Sequence, residues 1–326
     1  MGFRSIGAGA VALAVLALAG CGSGGGGQAA APTGDAPLLV VASTNVYGSI
    51  AEAVGGDRVE IESIIKDPAA DPHSYESTPG DAATVSRARI VVLNGAGYDD
   101  FMPRLVQAAG GSPTVVDVAE VSGLEHPDGA ADGAPSADQH AAGGDGHDHG
   151  SLNEHFWYNL PVVQAVATRL AADLGAADPA GAAAYTDNAK AFNAKVDDLL
   201  KRAQAIGAAH PGARVAVTEP VPGYLIQTAG LTDATPPEFT KAVEEDTDPP
   251  AAVLQQTLAL FQGDPVKALV LNAQTQTPTT DQVRQAAQTA GVPVVEVTET
   301  LPADATDYLS WMGGQIDALS AALNRS

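Results

Sequence analysis

From Leu38 onward, short β-branched runs alternate with segments of helical character. Leu38-Leu39-Val40-Val41-Ala42 reads as a buried strand. Asn45 suits the cap of a helix that stops at Gly55-Gly56, and residues 59–65 read as a second strand. Thr78 and Pro79 suit the cap and first turn of the next helix. Ile90-Val91-Val92-Leu93 is a third strand, residues 99–109 a helix closed by Gly110-Gly111, and Thr114-Val115-Val116 a fourth strand. Such alternation predicts a mostly parallel sheet. It recurs later in the chain, with strands expected at 214–218, 267–271 and 292–297 and helices near 222–229, 250–262, 279–290 and 306–323.

Between these halves, Tyr185, Ala189, Phe192, Val196, Leu199, Ala203 and Ile206 recur at alternating steps of four and three, which places them on one helix face. A single helix over 181–209 would be roughly 40 Å long, enough to run along both halves rather than pack on one. The expected fold is therefore α/β. Two lobes, 38–178 and 211–326, each carry a mostly parallel sheet flanked by helices, and one long rigid helix within 179–210 joins them.

The N-terminal 37 residues follow other rules. Arg4 precedes an apolar stretch over 11–19, shorter than the roughly 20 residues a spanning helix needs, and then Leu18-Ala19-Gly20-Cys21. That pattern reads as a secretion signal over 1–20. Leu-Ala-Gly-Cys resembles the bacterial lipobox, which implies cleavage before Cys21 and lipidation of its thiol. Cys21 is the only cysteine, so no internal disulfide framework exists. Gly22-Ser23-Gly24-Gly25-Gly26-Gly27 opens a flexible tether over 21–37.

With 39 acidic against 16 basic residues the formal charge is −23, which argues against binding a phosphate backbone and makes cations the better clients. Six of the seven histidines fall between positions 73 and 155. His126, His140, His147 and His149 lie in a Gly/Ala/Asp/Ser-rich loop at about 122–150, a composition that does not fold alone, so these imidazoles form an auxiliary, weak metal-binding loop.

His73 and His155 stand in sharper surroundings. His73 follows a strand in Asp71-Pro72-His73-Ser74-Tyr75-Glu76, where open α/β sheets place ligands. His155 lies in Asn153-Glu154-His155-Phe156-Trp157, just before a helix that Pro161 can start, among aromatic residues that would hold its ring and exclude water. Either histidine alone suits a structural role as well as metal ligation. Together, the two segments and the acidic, histidine-rich insertion between them resemble the zinc and manganese solute-binding proteins of ABC importers, the ZnuA-like family.

The resemblance implies two histidine ligands from the first lobe and two ligands from the second, which fall on Glu219 in Thr218-Glu219-Pro220 and Glu299 in Thr298-Glu299-Thr300. Tyr224 stands at the place of a family tyrosine. Many zinc members carry histidine where Glu219 stands, and the usual residue at Glu299 is aspartate. Two neutral imidazoles and two carboxylates around a dication sum to zero, which limits the cost of burying the ion. The expected cargo is Zn2+, with Mn2+ the alternative. The expected partners are an ABC permease with its ATPase and, through the lipid on Cys21, the extracytoplasmic face of the cell membrane; the protein is expected to be a monomer with no role in nucleic-acid binding. A zinc hydrolase and a metal-buffering surface adhesin are the rival classes. Four protein ligands leave no open position for water in a tetrahedral site, and no His-Glu-x-x-His pair is present, which disfavours the hydrolase.

Overall fold

The computed structural model describes residues 37–68, 70–124 and 152–325. Strand β1 (Leu38–Thr44) leads through α1 (Asn45–Gly55), β2 (Val59–Ile65), α2 (Pro79–Arg87), β3 (Ile90–Leu93), α3 (Phe101–Ala108), β4 (Thr114–Asp117) and α4 (Val118–Ser122). The four strands are parallel, in the order β2-β1-β3-β4. Two helices, α5 (Leu160–Ala177) and α6 (Ala182–Ala209), lead to the second half. There β5 (Arg214–Val217), α7 (Gly223–Thr228), β6 (Thr232–Asp233), α8 (Pro237–Glu244), α9 (Ala251–Ala259), β7 (Ala268–Asn272), α10 (Pro278–Thr289), β8 (Val294–Val297) and α11 (Tyr308–Leu323) follow. This sheet is also parallel, in the order β6-β5-β7-β8. Each lobe thus reverses its strand order once, between β1 and β3 and between β5 and β7, and each opens a ligand crevice at the carboxyl ends of its strands there.

Strand faces alternate as the pleat requires. Val40 and Ala42 of β1 join the large core, whereas Leu39 and Val41 join a smaller cluster with Phe101, Met102 and Leu105 of α3. In β5, Val215 and Val217 face the large core and Ala216 a separate cluster with Phe239, Val243 and Val283. The large core is continuous through both lobes, and α6 is its spine. The seven residues of the expected stripe are the buried residues of α6. The helix packs against α1 and α5 of the first lobe and α7 and α11 of the second, so it runs along both. Near its end Gly207 permits backbone contact, since a Cβ there would lie 2.5 Å from the Ala229 carbonyl oxygen.

Local signals were obeyed with instructive exceptions. Thr78 caps α2 in a capping box with Asp81, with Pro79 opening the helix. Thr44, not Asn45, occupies the cap position of α1. Asn45 is drawn elsewhere: its amide donates to the Leu301 carbonyl at 2.9 Å and accepts from the Leu301 N–H at 3.0 Å, tying the two lobes together. The helix expected from residue 99 begins at Phe101, because the Asp99 carboxylate accepts the N–H groups of Asn94 and Gly95 at 2.7 and 3.0 Å and holds the preceding turn. Helices α4 and α8 and strand β6 have no counterpart among the elements expected from the sequence.

Among the described residues no helix is long and apolar enough to cross a membrane. The expected signal segment, Cys21, and His126, His140, His147 and His149 lie outside the described residues.

Candidate metal centre

The carboxyl ends of the two sheets supply one cluster of ligating side chains. His73 comes from the loop after β2, Glu219 from the loop after β5, and Glu299 from the loop after β8. His155 comes from the segment that enters α5. The structure gathers His73, Glu219 and Glu299 around one cavity of about 50 Å³, whose lining also includes Asp71, Glu244, Asp246, Gln274 and Thr275. His155 reaches the same cluster, its Nε2 lying 4.0 Å from Glu299 Oε2.

Two further carboxylates join them. Glu154 Oε1 lies 3.5 Å and Glu244 Oε1 3.6 Å from His73 Nε2, and Glu244 Oε1 lies 3.3 Å from His155 Nε2. One ligating atom from each of His73, Glu154, His155 and Glu244 falls within 4.8 Å of the other three. Glu154 is the neighbour of His155 in sequence, but nothing in the chain's periodicity marks it as buried. The signal for Glu244 was weaker still: Pro236-Pro237 before apolar Phe239, Ala242 and Val243, a single helical repeat.

Each imidazole is held in place. Asn153 Oδ1 accepts the His155 backbone N–H at 3.0 Å and lies 2.8 Å from His155 Nδ1. That contact puts the proton on Nδ1 and presents Nε2, which is buried and makes no hydrogen bond, to the cluster. Trp157 stands edge-on to the His155 ring at 5.2 Å, and Tyr98 stands edge-on to His73 at 5.0 Å and to His155 at 6.0 Å. Tyr98 reaches this place through a left-handed turn in which Gly95, Ala96 and Gly97 take φ of 75°, 54° and 91°. A Cβ on Gly95 would meet Asp117 Oδ1 at 2.4 Å, so glycine is required there.

The second lobe fixes Glu299 just as firmly. Asn272 Nδ2 donates to Glu299 Oε1 at 2.8 Å, and Gln274 Oε1 accepts the N–H groups of Glu299 and Thr300 at 2.5 and 3.2 Å. The Gln274 amide also donates to the Pro68 carbonyl, which links the loop of His73 to the loop of Glu299.

Crowding several carboxylates out of water disfavours their charged forms. Burial, and then the Glu299 and Glu244 charges, push Glu219 up to about 9. Burial raises Glu154 to about 8 against the opposing pull of His73. Burial and then Glu244 raise Glu299 to about 7. Burial alone would lower His73, but the Glu244 hydrogen bond and the charges of Glu154, Glu299 and Glu244 carry it up to about 9. His155, fully enclosed, is pushed down to about 4 by burial. Imidazole nitrogens and carboxylate oxygens converging on one small cavity suit a dication.

A family model described as zinc-uptake complex component A, periplasmic, matches residues 40–322. The chain is 29% identical over 168 residues to the manganese-binding lipoprotein MntA of Halalkalibacterium halodurans, a match covering 50% of this chain and 47% of that one. It is 27% identical over 173 residues to the iron ABC transporter substrate-binding lipoprotein MtsA of Streptococcus pyogenes, covering 51% and 50%. The chain thus spans about half the length of these curated relatives. In fold it is similar to the periplasmic zinc binding protein TroA from Treponema pallidum, with a TM-score of 0.65 at 19% identity over 88% of this chain and 99% of that one.

Proposed function

The chain belongs to the family of zinc-uptake complex component A, and from that premise we propose that it captures a divalent transition metal outside the cytoplasm and delivers it to an ABC importer. In this reading His73, His155, Glu219 and Glu299 are the ligands, the lipid on Cys21 is the anchor, and the permease with its ATPase is the partner. The observation that carries the reading is the enclosed His155 Nε2, oriented by Asn153 and left without a hydrogen bond beside three carboxylates and a second imidazole. A buried nitrogen so placed costs free energy until a cation takes it.

Capture accounts for the site better than hydrolysis does. Two imidazoles and several carboxylates supply at least four protein donors to the space, which fills a zinc tetrahedron, whereas a hydrolytic zinc keeps a position open for water. The sequence favours zinc as cargo; the excess of carboxylate oxygen over imidazole nitrogen favours manganese as a second reading. Metal analysis of protein purified without chelator or affinity tag, followed by chelator-competition titrations with both ions, tests the proposal. One tightly held dication per chain is the expected result. Absence of tight binding by either ion overturns it.

A further inference from the structure

We propose that Glu244 is an additional ligand for the captured ion, and that it biases the site toward dications which accept five or six oxygen-rich ligands, manganese above zinc. This inference rests on the metal-capture reading and adds to its four ligands.

The first support is distance. Donor atoms around one ion at 2.0–2.3 Å lie no more than about 4.6 Å apart even when opposite each other. Glu244 Oε1 is 3.3 Å from His155 Nε2 and 3.6 Å from His73 Nε2, already inside that limit. His155 Nε2 faces this oxygen without a hydrogen bond, and its side chain is only 1% exposed. Two donor atoms that face each other in this way have the arrangement of neighbours on a shared cation.

A second support comes from how the backbone delivers the carboxylate. Glu244 is the last residue of α8, which closes in a Schellman motif: Thr247 N–H bonds to the Ala242 carbonyl at 2.8 Å and Asp246 N–H to the Val243 carbonyl at 3.1 Å. The left-handed position is taken by Asp246 with φ of 51°, where glycine would be easier. A carboxylate on the last turn of a helix is opposed by the macrodipole, and here it also shares a cavity with Glu219 and Glu299. Nothing about α8 as a packing element requires an acid there, since Phe239, Ala242 and Val243 supply its buried face. A dication in the cavity turns each of these repulsions into attraction.

The preference follows from donor number. Two imidazoles with Glu219 and Glu299 make four ligands, which satisfies zinc in its usual tetrahedron. Glu244 as a fifth donor, and the third carboxylate, exceeds that number and suits manganese, which prefers six mostly hard ligands.

Competition titrations on the full chain test this, comparing wild type with E244Q, E244D and, as control, E245Q, whose side chain pairs with Lys241 outside the cluster. E244Q should lower manganese affinity at least tenfold and zinc affinity less, raising the zinc-to-manganese preference about fivefold or more; E244D should recover part of the loss, and E245Q should match wild type. An unchanged E244Q, or an equal fall for both ions, overturns the proposal while leaving metal capture intact. A wild type that binds neither ion overturns metal capture itself. Should E244Q fail to fold, E244D decides: a larger loss of manganese than of zinc affinity supports Glu244 as ligand, and wild-type affinity for both ions or an equal fall for both overturns it.

Discussion

Asn153 Oδ1 lies 2.8 Å from His155 Nδ1, and the same side chain donates from Nδ2 to the Pro220 carbonyl at 2.8 Å, one residue beyond Glu219. One amide therefore sets the tautomer of a ligand from the first lobe and the loop of a ligand from the second. Asn153→Ala should cost about 10–100-fold in metal affinity, the usual effect of losing a residue that orients a ligand, while the protein stays folded. Gly223→Ala should do the same more mildly, because its Cβ would sit 2.6 Å from Asn153 Nδ2 and push the amide aside. Competition titration alongside thermal melts checks both. Unaltered affinity in Asn153→Ala would show that the imidazole is oriented by its aromatic neighbours alone.

Removing His155 itself should be far more severe. His155→Ala deletes a neutral donor and leaves the remaining carboxylates around an under-coordinated ion, so tight binding should fall by several orders of magnitude. Calorimetry under a competing chelator measures it, and wild-type affinity in the variant would exclude His155 from the site.

Glu219→His exchanges an oxygen for a softer nitrogen and removes a carboxylate that can bind through two atoms. Preference for zinc over manganese should rise. Parallel titrations of both ions on both proteins give the ratio; a constant ratio, or a shift toward manganese, would mean that Glu219 does not touch the metal.

Without metal, the fold should weaken as pH rises from about 5 to about 9. Glu154, Glu219 and Glu299 titrate at about 8, 9 and 7 in the folded chain, against an ordinary value of 4.5. The folded state then holds more protons than the unfolded one. The associated stability is full below the ordinary value and is lost as pH climbs through the raised ones. His73, raised to about 9, acts in the same sense; His155, lowered to about 4, opposes it below its ordinary 6.5. A bound dication displaces these protons, so the metal-loaded protein should show a flatter profile. Melting temperatures across this range with and without metal are the check, and an apo Tm that rises steadily with pH would contradict the account.

Gly207→Ala should destabilise by about 1–3 kcal/mol, the usual range for overpacking, since the new methyl meets the Ala229 backbone rather than a side chain that can turn away. Denaturant unfolding reads the loss. Because this contact lies outside the cluster, the ratio of zinc to manganese affinity should hold.

What could be read from the chain and what could not divide along physical lines. Continuous runs such as Val40-Val41-Ala42 and Ile90-Val91-Val92 announce buried parallel strands because both faces are covered. The α6 stripe was legible because 28 residues contain many turns of the same period. Helix α8 has eight residues and β6 two, too few to establish a period, and Glu244 was missed with them. Glu154 is enclosed by its tertiary neighbours, and Tyr98 reaches the imidazoles through three consecutive left-handed residues, one of them Ala96, which no propensity favours. Asn45 carried a good cap signal, but a partner 256 residues away claims its side chain. Glu219 and Glu299 were placed by family resemblance rather than by any pattern of their own.

The single core that threads α6 through both lobes also limits how a loaded molecule can differ from an empty one. Wide separation of the lobes would tear Leu199, Ala203 and Ile206 from their packing and break both Asn45–Leu301 hydrogen bonds. Occupancy should therefore register as charge and local order among the residues that line the cavity, Asp71, His73, Glu244 and Asp246 among them. On the proposed reading, a permease that sorts loaded from empty protein would have to read that small patch by its electrostatic field rather than by the spread of the lobes.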